Sequence, residues 1–158
     1  MILYHYTCRE YLASILATGL WRGEVCTDSW QKPDGEAVWL TTDSDPAKHG
    51  LGSGEPITED FRRAIYEKSG IELSAGSVFA DKRAVRITVD IPPSDTRLFR
   101  WIRWAKRNVH PVIRDGLISS GGGMAKARTW YVYFGVIMPD QFLDVGVADD
   151  APLMKEAA

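Results

Sequence analysis

The sequence predicts an α+β fold in a single domain, with a mixed or antiparallel split sheet and flanking helices. Three observations carry that expectation. The chain has 158 residues, 45% of them apolar and 25% charged, which is one domain's length and enough to bury a core without metal or disulfide support. Helical periodicity is concentrated in the first two thirds of the chain. The strand-like stretches are not separated by the crossover helices of a βαβ series, which argues against a parallel sheet.

The elements follow in order. Leu3-Tyr4-His5-Tyr6-Thr7 reads as a short strand. Thr7-Cys8-Arg9-Glu10 has the form of a capping box opening a helix whose inner face is Leu12, Ile15 and Leu16. Gly19 stands where a left-handed terminal residue is needed. Lys32-Pro33-Asp34-Gly35 reads as a turn, and Ala37 to Thr41 as a strand. Thr42 to Gly54 is a loop with a helical turn toward His49. Its glycines at 50, 52 and 54 lack the third position and the context of a dinucleotide fingerprint. Thr58-Glu59-Asp60 starts a second helix, with acids where the macrodipole favours them, and Gly70 ends it. Arg83 to Ile91 alternates as a half-buried strand, stopped by Pro92-Pro93. Ser94 to Asn108 reads as a helix rich in arginine and tryptophan, and Gly116 to Gly123 as a loop. Arg128 to Ile137 is the strongest strand, Phe142 to Val147 the last. The domain spans residues 1–148, and 149–158 read as a flexible tail.

A net charge of −2 and a pI near 5.9 argue against coating by nucleic acid, though not against a local basic patch. Cys8 and Cys26 are too few, and lack the histidine spacing, for a metal set. No signal-like or membrane-spanning apolar run is present, so a cytoplasmic location with reduced thiols and no membrane partner is expected. Six tryptophans are many for this length, and some are expected in a site.

Candidate chemistry lies in three places. His5 is at the end of the first strand, beside a helix N-terminus suited to anions. Trp39-Leu40-Thr41-Thr42 ends the second. Arg128-Thr129-Trp130-Tyr131 opens the strongest. An aromatic, a hydroxyl and an imidazole meeting there would suit a flat heterocycle with a ribose. The competing readings are a carbonyl-satisfied histidine at His5, core filling at Trp39 and cross-strand packing at Tyr131. No serine sits in an elbow context and no paired carboxylates stand out. A separate run, Arg97 to Arg114, interleaves basic residues with Phe99, Trp101 and Trp104. On one helix Arg100, Arg103 and Arg107 would project together, as a grip on phosphates or on an acidic protein face, or as the solvated side of a core helix.

Leu3 to Thr7, the x-L-x-x-I-L-x-x-G-L pattern of Tyr11 to Leu20, and Val38-Trp39-Leu40-Thr41-Thr42 together resemble the opening of the ADP-ribosyltransferase superfamily. That superfamily also holds RNA 2′-phosphotransferases and DNA-targeting toxins. The resemblance covers the first third of the chain and, loosely, Arg128 to Val145. It implies an NAD substrate, with His5 on a ribose, the backbone at Tyr6 on the nicotinamide amide, Trp39 stacked on nicotinamide, and Thr7, Thr41, Thr42 and His49 lining the pocket. It also implies a glutamate near the start of the Arg128–Ile137 strand, and none is there. Arg128, Thr129 or Tyr131 would then fill that place, an arginine being closer to the phosphotransferases. The implied activity is transfer of ADP-ribose to a protein or nucleic-acid acceptor with release of nicotinamide, in a toxin, a phage effector or a housekeeping enzyme. The acceptor would be held by Arg100, Arg103 and Arg107. The alternatives are 2′-phosphate transfer and a non-catalytic binding or inhibitor protein.

Overall fold

A computed structural model describes residues 1–27 and 33–148. Its elements are β1 (Ile2–Thr7), α1 (Arg9–Thr18), β2 (Glu24–Cys26), β3 (Pro33–Glu36), β4 (Val38–Thr41), α2 (Glu59–Ser69), β5 (Val85–Asp90), β6 (Leu98–Arg100), α3 (Trp101–Asn108), α4 (Pro111–Ser120), α5 (Gly123–Ala127), β7 (Trp130–Tyr133) and β8 (Phe142–Val147), with a 3₁₀ turn at Pro139–Gln141. Six strands form one sheet in the order β6-β7-β4-β1-β5-β8; β2 and β3 make a separate ribbon. Every recorded pairing is antiparallel, so the mixed alternative falls away.

The sheet is joined unevenly at its middle. β1 pairs with β5 along its whole length, from Ile2↔Asp90 to Thr7↔Val85. Against β4 it pairs at Tyr4↔Thr41. The Ile91 amide donates to the Met1 carbonyl at 3.1 Å, which sets the alternation: odd-numbered residues of β1 aim their backbone groups at β5 and even-numbered ones at β4. Beyond Tyr4 no further β1–β4 pair is formed among the described residues. Two half-sheets, β6-β7-β4 and β1-β5-β8, therefore meet through one ladder position.

Period-2 alternation sorts side chains onto two faces. Leu3, Val38, Leu40, Val85, Ile87, Val89 and Tyr133 point to one face, where Leu12 and Ile15 of α1 pack on them. Trp130 and Val132 point to the other, under Trp101, Ala105, Val109 and Ala127 of the α3–α5 side. Trp39 joins this second core, with ring centroids 5.8 Å from Trp101 and 6.2 Å from Trp130.

Several local expectations change. The capping box does not form. Cys8, not Thr7, is the N-cap of α1 and it makes no side-chain cap, because Thr7 is still held in the sheet opposite Val85. Leu16 is 49% exposed, so the apolar face of α1 is Leu12 and Ile15. Ser94–Asn108 is not one helix. Asp95 accepts from the Arg97 amide and guanidinium, fixing a turn, and Leu98–Arg100 then pairs with β7 before α3 begins. The expected loop around Gly116 is helical. His110 accepts from the Val112 amide and Pro111 sits in the first turn; Gly116 meets no neighbour within 4 Å and costs only propensity. Of the Lys32–Gly35 turn, Lys32 lies outside the described residues and Pro33–Glu36 is strand backbone. The expected tail at 149–158 also lies outside them. The second helix keeps its signals: Thr58 caps the Phe61 amide and Gly70 is left-handed.

Candidate functional site

Strand alternation divides the predicted pocket residues between the two faces. His5, Thr7 and Tyr131 share the α1 face; Tyr6, Trp39 and Thr41 share the other. The expectation that strand ends meet is corrected by the antiparallel pairing, which sets the end of β1 beside the start of β4 rather than beside Thr41-Thr42. Those on β1 and β4 share the junction of the half-sheets, while Tyr131 stands one strand away on β7.

His5 stands at that junction. Its Nδ1 lies 2.9 Å from the Trp39 carbonyl oxygen. A carbonyl only accepts, so Nδ1 carries the proton and Nε2 keeps a lone pair. Burial, and secondarily the charge of Lys82, hold the His5 pKa below 6.5, against the opposing bond to Trp39. The imidazole is neutral at pH 7, a hydrogen-bond acceptor at Nε2. The carbonyl-satisfied reading of His5 is thus correct for one nitrogen and silent on the other.

On the opposite face, the loop after β4 folds back onto the start of β7. The Thr41 and Thr129 hydroxyls lie 2.8 Å apart, and Thr129 donates to the Lys126 carbonyl at 2.7 Å. Thr41 Oγ1 accepts from the Asp43 amide at 3.0 Å. Asp43 Oδ2 is 2.6 Å from Lys126 Nζ and 3.4 Å from His49 Nε2. The bond from Lys126, with one from the Asp45 amide, holds the Asp43 carboxyl below its ordinary 3.8. Tyr6 donates its phenol to the Asp43 carbonyl at 3.1 Å; burial raises its pKa to about 12, so it stays protonated.

His49 closes the cluster. The Trp130 indole N–H donates to His49 Nδ1 at 2.8 Å, so that nitrogen is unprotonated and Nε2–H faces the Asp43 carboxylate. Burial first, then Lys126, lowers its pKa from 6.5. The glycines at the α4–α5 turn allow this approach. A Cβ on Gly121 would overlap the Trp130 ring, and one on Gly122, which has φ +90°, would overlap the Lys48 carbonyl oxygen.

The remaining predicted residues are placed as follows. Tyr131 is half-buried and packs against the α1-face core. Trp39 donates its indole N–H to the Glu24 carbonyl at 2.9 Å within the tryptophan cluster. Thr42 is exposed, its amide on the Thr129 carbonyl. Arg128 caps α5 and is exposed, and its carbonyl accepts from the Arg100 guanidinium. Arg100 precedes α3 instead of lying on it, so it does not project with Arg103 and Arg107 as one helix face. Asp43 and Lys126 are not among the candidate site residues read from the sequence, and Trp130 enters there only as part of the Arg128–Tyr131 stretch. The only signal for Asp43 was its place two residues beyond Thr41.

A cavity of about 310 Å³ lies elsewhere, along α2, lined by Glu59, Arg62, Arg63, Tyr66, Glu72 and Leu73. Among the described residues, no group of three or more His, Cys, Asp or Glu is placed to hold a metal ion. None of their helices is long and apolar enough to cross a membrane. Comparison with protein-family models, with curated proteins and with solved structures finds no match to the chain.

Proposed function

We propose that the chain is an NAD-using enzyme of the ADP-ribosyltransferase type, transferring ADP-ribose to a protein or nucleic-acid acceptor. The observation that carries this reading is the junction of the half-sheets. Of the three stretches on which the resemblance rests, Leu3–Thr7 and Val38–Thr42 fall on neighbouring strands β1 and β4 and the third falls mostly on α1; the looser match from Arg128 leads into β7, beside β4. His5 sits where β1 and β4 part, one imidazole nitrogen fixed on Trp39 and the other free to accept. Even-numbered Tyr6 aims its backbone groups into the same gap, as a nicotinamide amide would require.

In this reading His5 Nε2 accepts a hydrogen bond from a ribose hydroxyl. The bond between the anomeric carbon and nicotinamide nitrogen breaks, its electron pair leaving with nicotinamide. Positive charge develops on the ribose, and an acceptor oxygen or nitrogen bonds the anomeric carbon and sheds its proton. The chain must supply orientation and a nearby anion. The sequence has no glutamate at the head of β7, but the fold brings Asp43 there through Thr41, Thr129 and Lys126. Asp43 is ionised at neutral pH. It lies on the face opposite His5, so a ribose held by both would pass through the open gap between β1 and β4, and on that path Asp43 is our candidate for the role in place of Arg128 or Tyr131.

Titration calorimetry with NAD, followed by mass analysis for nicotinamide, tests the reading. Wild-type protein is expected to bind NAD and release nicotinamide. Asp43→Asn is expected to keep binding while release falls by about 100-fold or more, the scale of losing one preorganised electrostatic group. A folded wild-type protein that neither binds NAD nor releases nicotinamide overturns the proposal. Supplying 2′-phosphorylated RNA with NAD in the same assay reads out the phosphotransferase alternative.

A further inference from the structure

The surface formed by α3 and the edge strand β6 sets cations beside a row of rings. Trp101 and Ala105 anchor α3 in the core. Its opposite side carries Arg103, Lys106 and Arg107, all exposed. Nearby, Arg97 pairs with Asp95 at 2.8 Å and Arg114 with Asp115 at 2.9 Å, and the Arg100 guanidinium donates to the Arg128 carbonyl. Arg103, Lys106 and Arg107 form no ion pair among the described residues, in a chain whose net charge is −2. The helix macrodipole accounts for basic residues in the last turn, Lys106 and Arg107, but not for Arg103.

Beside these cations runs a row of rings. Trp104 lies with its centroid 5.3 Å from Phe134, and Phe134 lies 5.7 Å from Phe99. Phe99 is 40% exposed although it is on a strand that could have turned it inward. Trp104 and Phe134 are half-buried. β6 is an edge strand, so among the described residues no strand of the sheet lies beyond Phe99.

We infer that the α3–β6 surface binds single-stranded nucleic acid, with Arg103, Lys106 and Arg107 on successive phosphates and the Phe99–Phe134–Trp104 row as a stacking platform for bases. Cations alone would suit any polyanion. Cations flanking a partly open row of rings suit a strand whose bases are unpaired, because every base offers a π face and a duplex hides it. An acidic protein would use the charges and leave Phe99 idle. The inference does not depend on NAD chemistry, because the surface is built from different elements than the β1–β4 junction.

The test is fluorescence anisotropy with a labelled 20-nucleotide oligothymidine, its duplex with oligoadenosine, and polyglutamate, across two or more salt concentrations. The single strand is expected to bind more tightly than the duplex. Changing Arg103, Lys106 and Arg107 together to glutamine is expected to reduce the slope of log affinity against log salt by about 2. Phe99→Ala is expected to weaken single-strand binding at least about fivefold with the salt slope unchanged. Thermal melts of both variants check the fold; the three cations are exposed, so the glutamine variant tests the proposal even if Phe99→Ala is unstable. Equal binding of single strand and duplex overturns the inference. So does polyglutamate binding as tight as the oligonucleotide's, or a glutamine variant with an unchanged salt slope.

Discussion

His49 shows how one hydrogen bond fixes a side chain's chemistry. Because the buried Trp130 indole can only donate, His49 Nδ1 must accept, and the ring is held as the Nε2–H tautomer facing Asp43. His49→Ala would leave the Trp130 N–H buried without its partner. We expect a loss of roughly 1–3 kcal/mol in urea unfolding; stability equal to wild type would show the indole is satisfied otherwise. The same environment makes stability depend on pH. His5 and His49 both have folded pKa values below 6.5, so near and below that pH the unfolded chain binds more protons than the native one. Stability then rises with pH. The contribution is complete above about pH 7, and shrinks as pH falls through 6.5 toward the lower folded values. Asp43 adds a second window below its ordinary 3.8, where protonation removes its pairing with Lys126. Melting temperature is therefore expected to climb as pH rises through 6.5. A His5→Gln, His49→Gln double variant is expected to lose most of that slope, and an unaltered slope would refute the assignment.

Turns and caps decide how the elements reach the site. Gly122 sits at φ +90° against the Lys48 carbonyl, holding the start of α5 on the loop that carries His49. Gly122→Ala combines an unfavourable backbone conformation with a backbone overlap. It is expected to cost about 2 kcal/mol or more and to alter Trp130 fluorescence as His49 shifts. α2 supplies the contrast. Thr58→Ala removes the cap on the Phe61 amide and is expected to cost about 1 kcal/mol. It should leave tryptophan fluorescence unchanged, because α2 contributes no residue to either core cluster. A fluorescence change there would tie α2 to the sheet more closely than the packing does.

For the molecule as a whole, the joint between half-sheets is the feature that links architecture to proposed activity. A ligand that binds across β1 and β4 would brace a seam that holds one ladder pair. NAD is expected to raise the unfolding free energy by mass action, by about 2.7 kcal/mol at one hundred times its dissociation constant. It should also slow amide exchange in β1 and β4 more than in β8. Uniform protection would place the ligand elsewhere.

Patterns that are local in the chain were legible in it. The alternation of Val85, Ile87 and Val89, the Thr58 cap, the Gly70 stop and the α+β class all rest on neighbours a few residues apart, and the physics that forms them acts at that range. The Arg128–Ile137 strand was legible in kind but not in length, since Arg128 and Thr129 close α5 instead. Pairing order and side-chain facing were not legible. The antiparallel meeting of β1 with β4 put His5 and Trp39 on opposite faces, and that register depends on contacts more than thirty residues apart. Distance in sequence also hid Asp43. It reaches Lys126, 83 residues away, only because the β4–β7 pairing brings Thr41 to Thr129 and the glycine turn lets His49 settle on Trp130. The residue types for a site were written in the chain, while their grouping was left to long-range pairing, whose energy is shared among many weak contacts that no short stretch encodes.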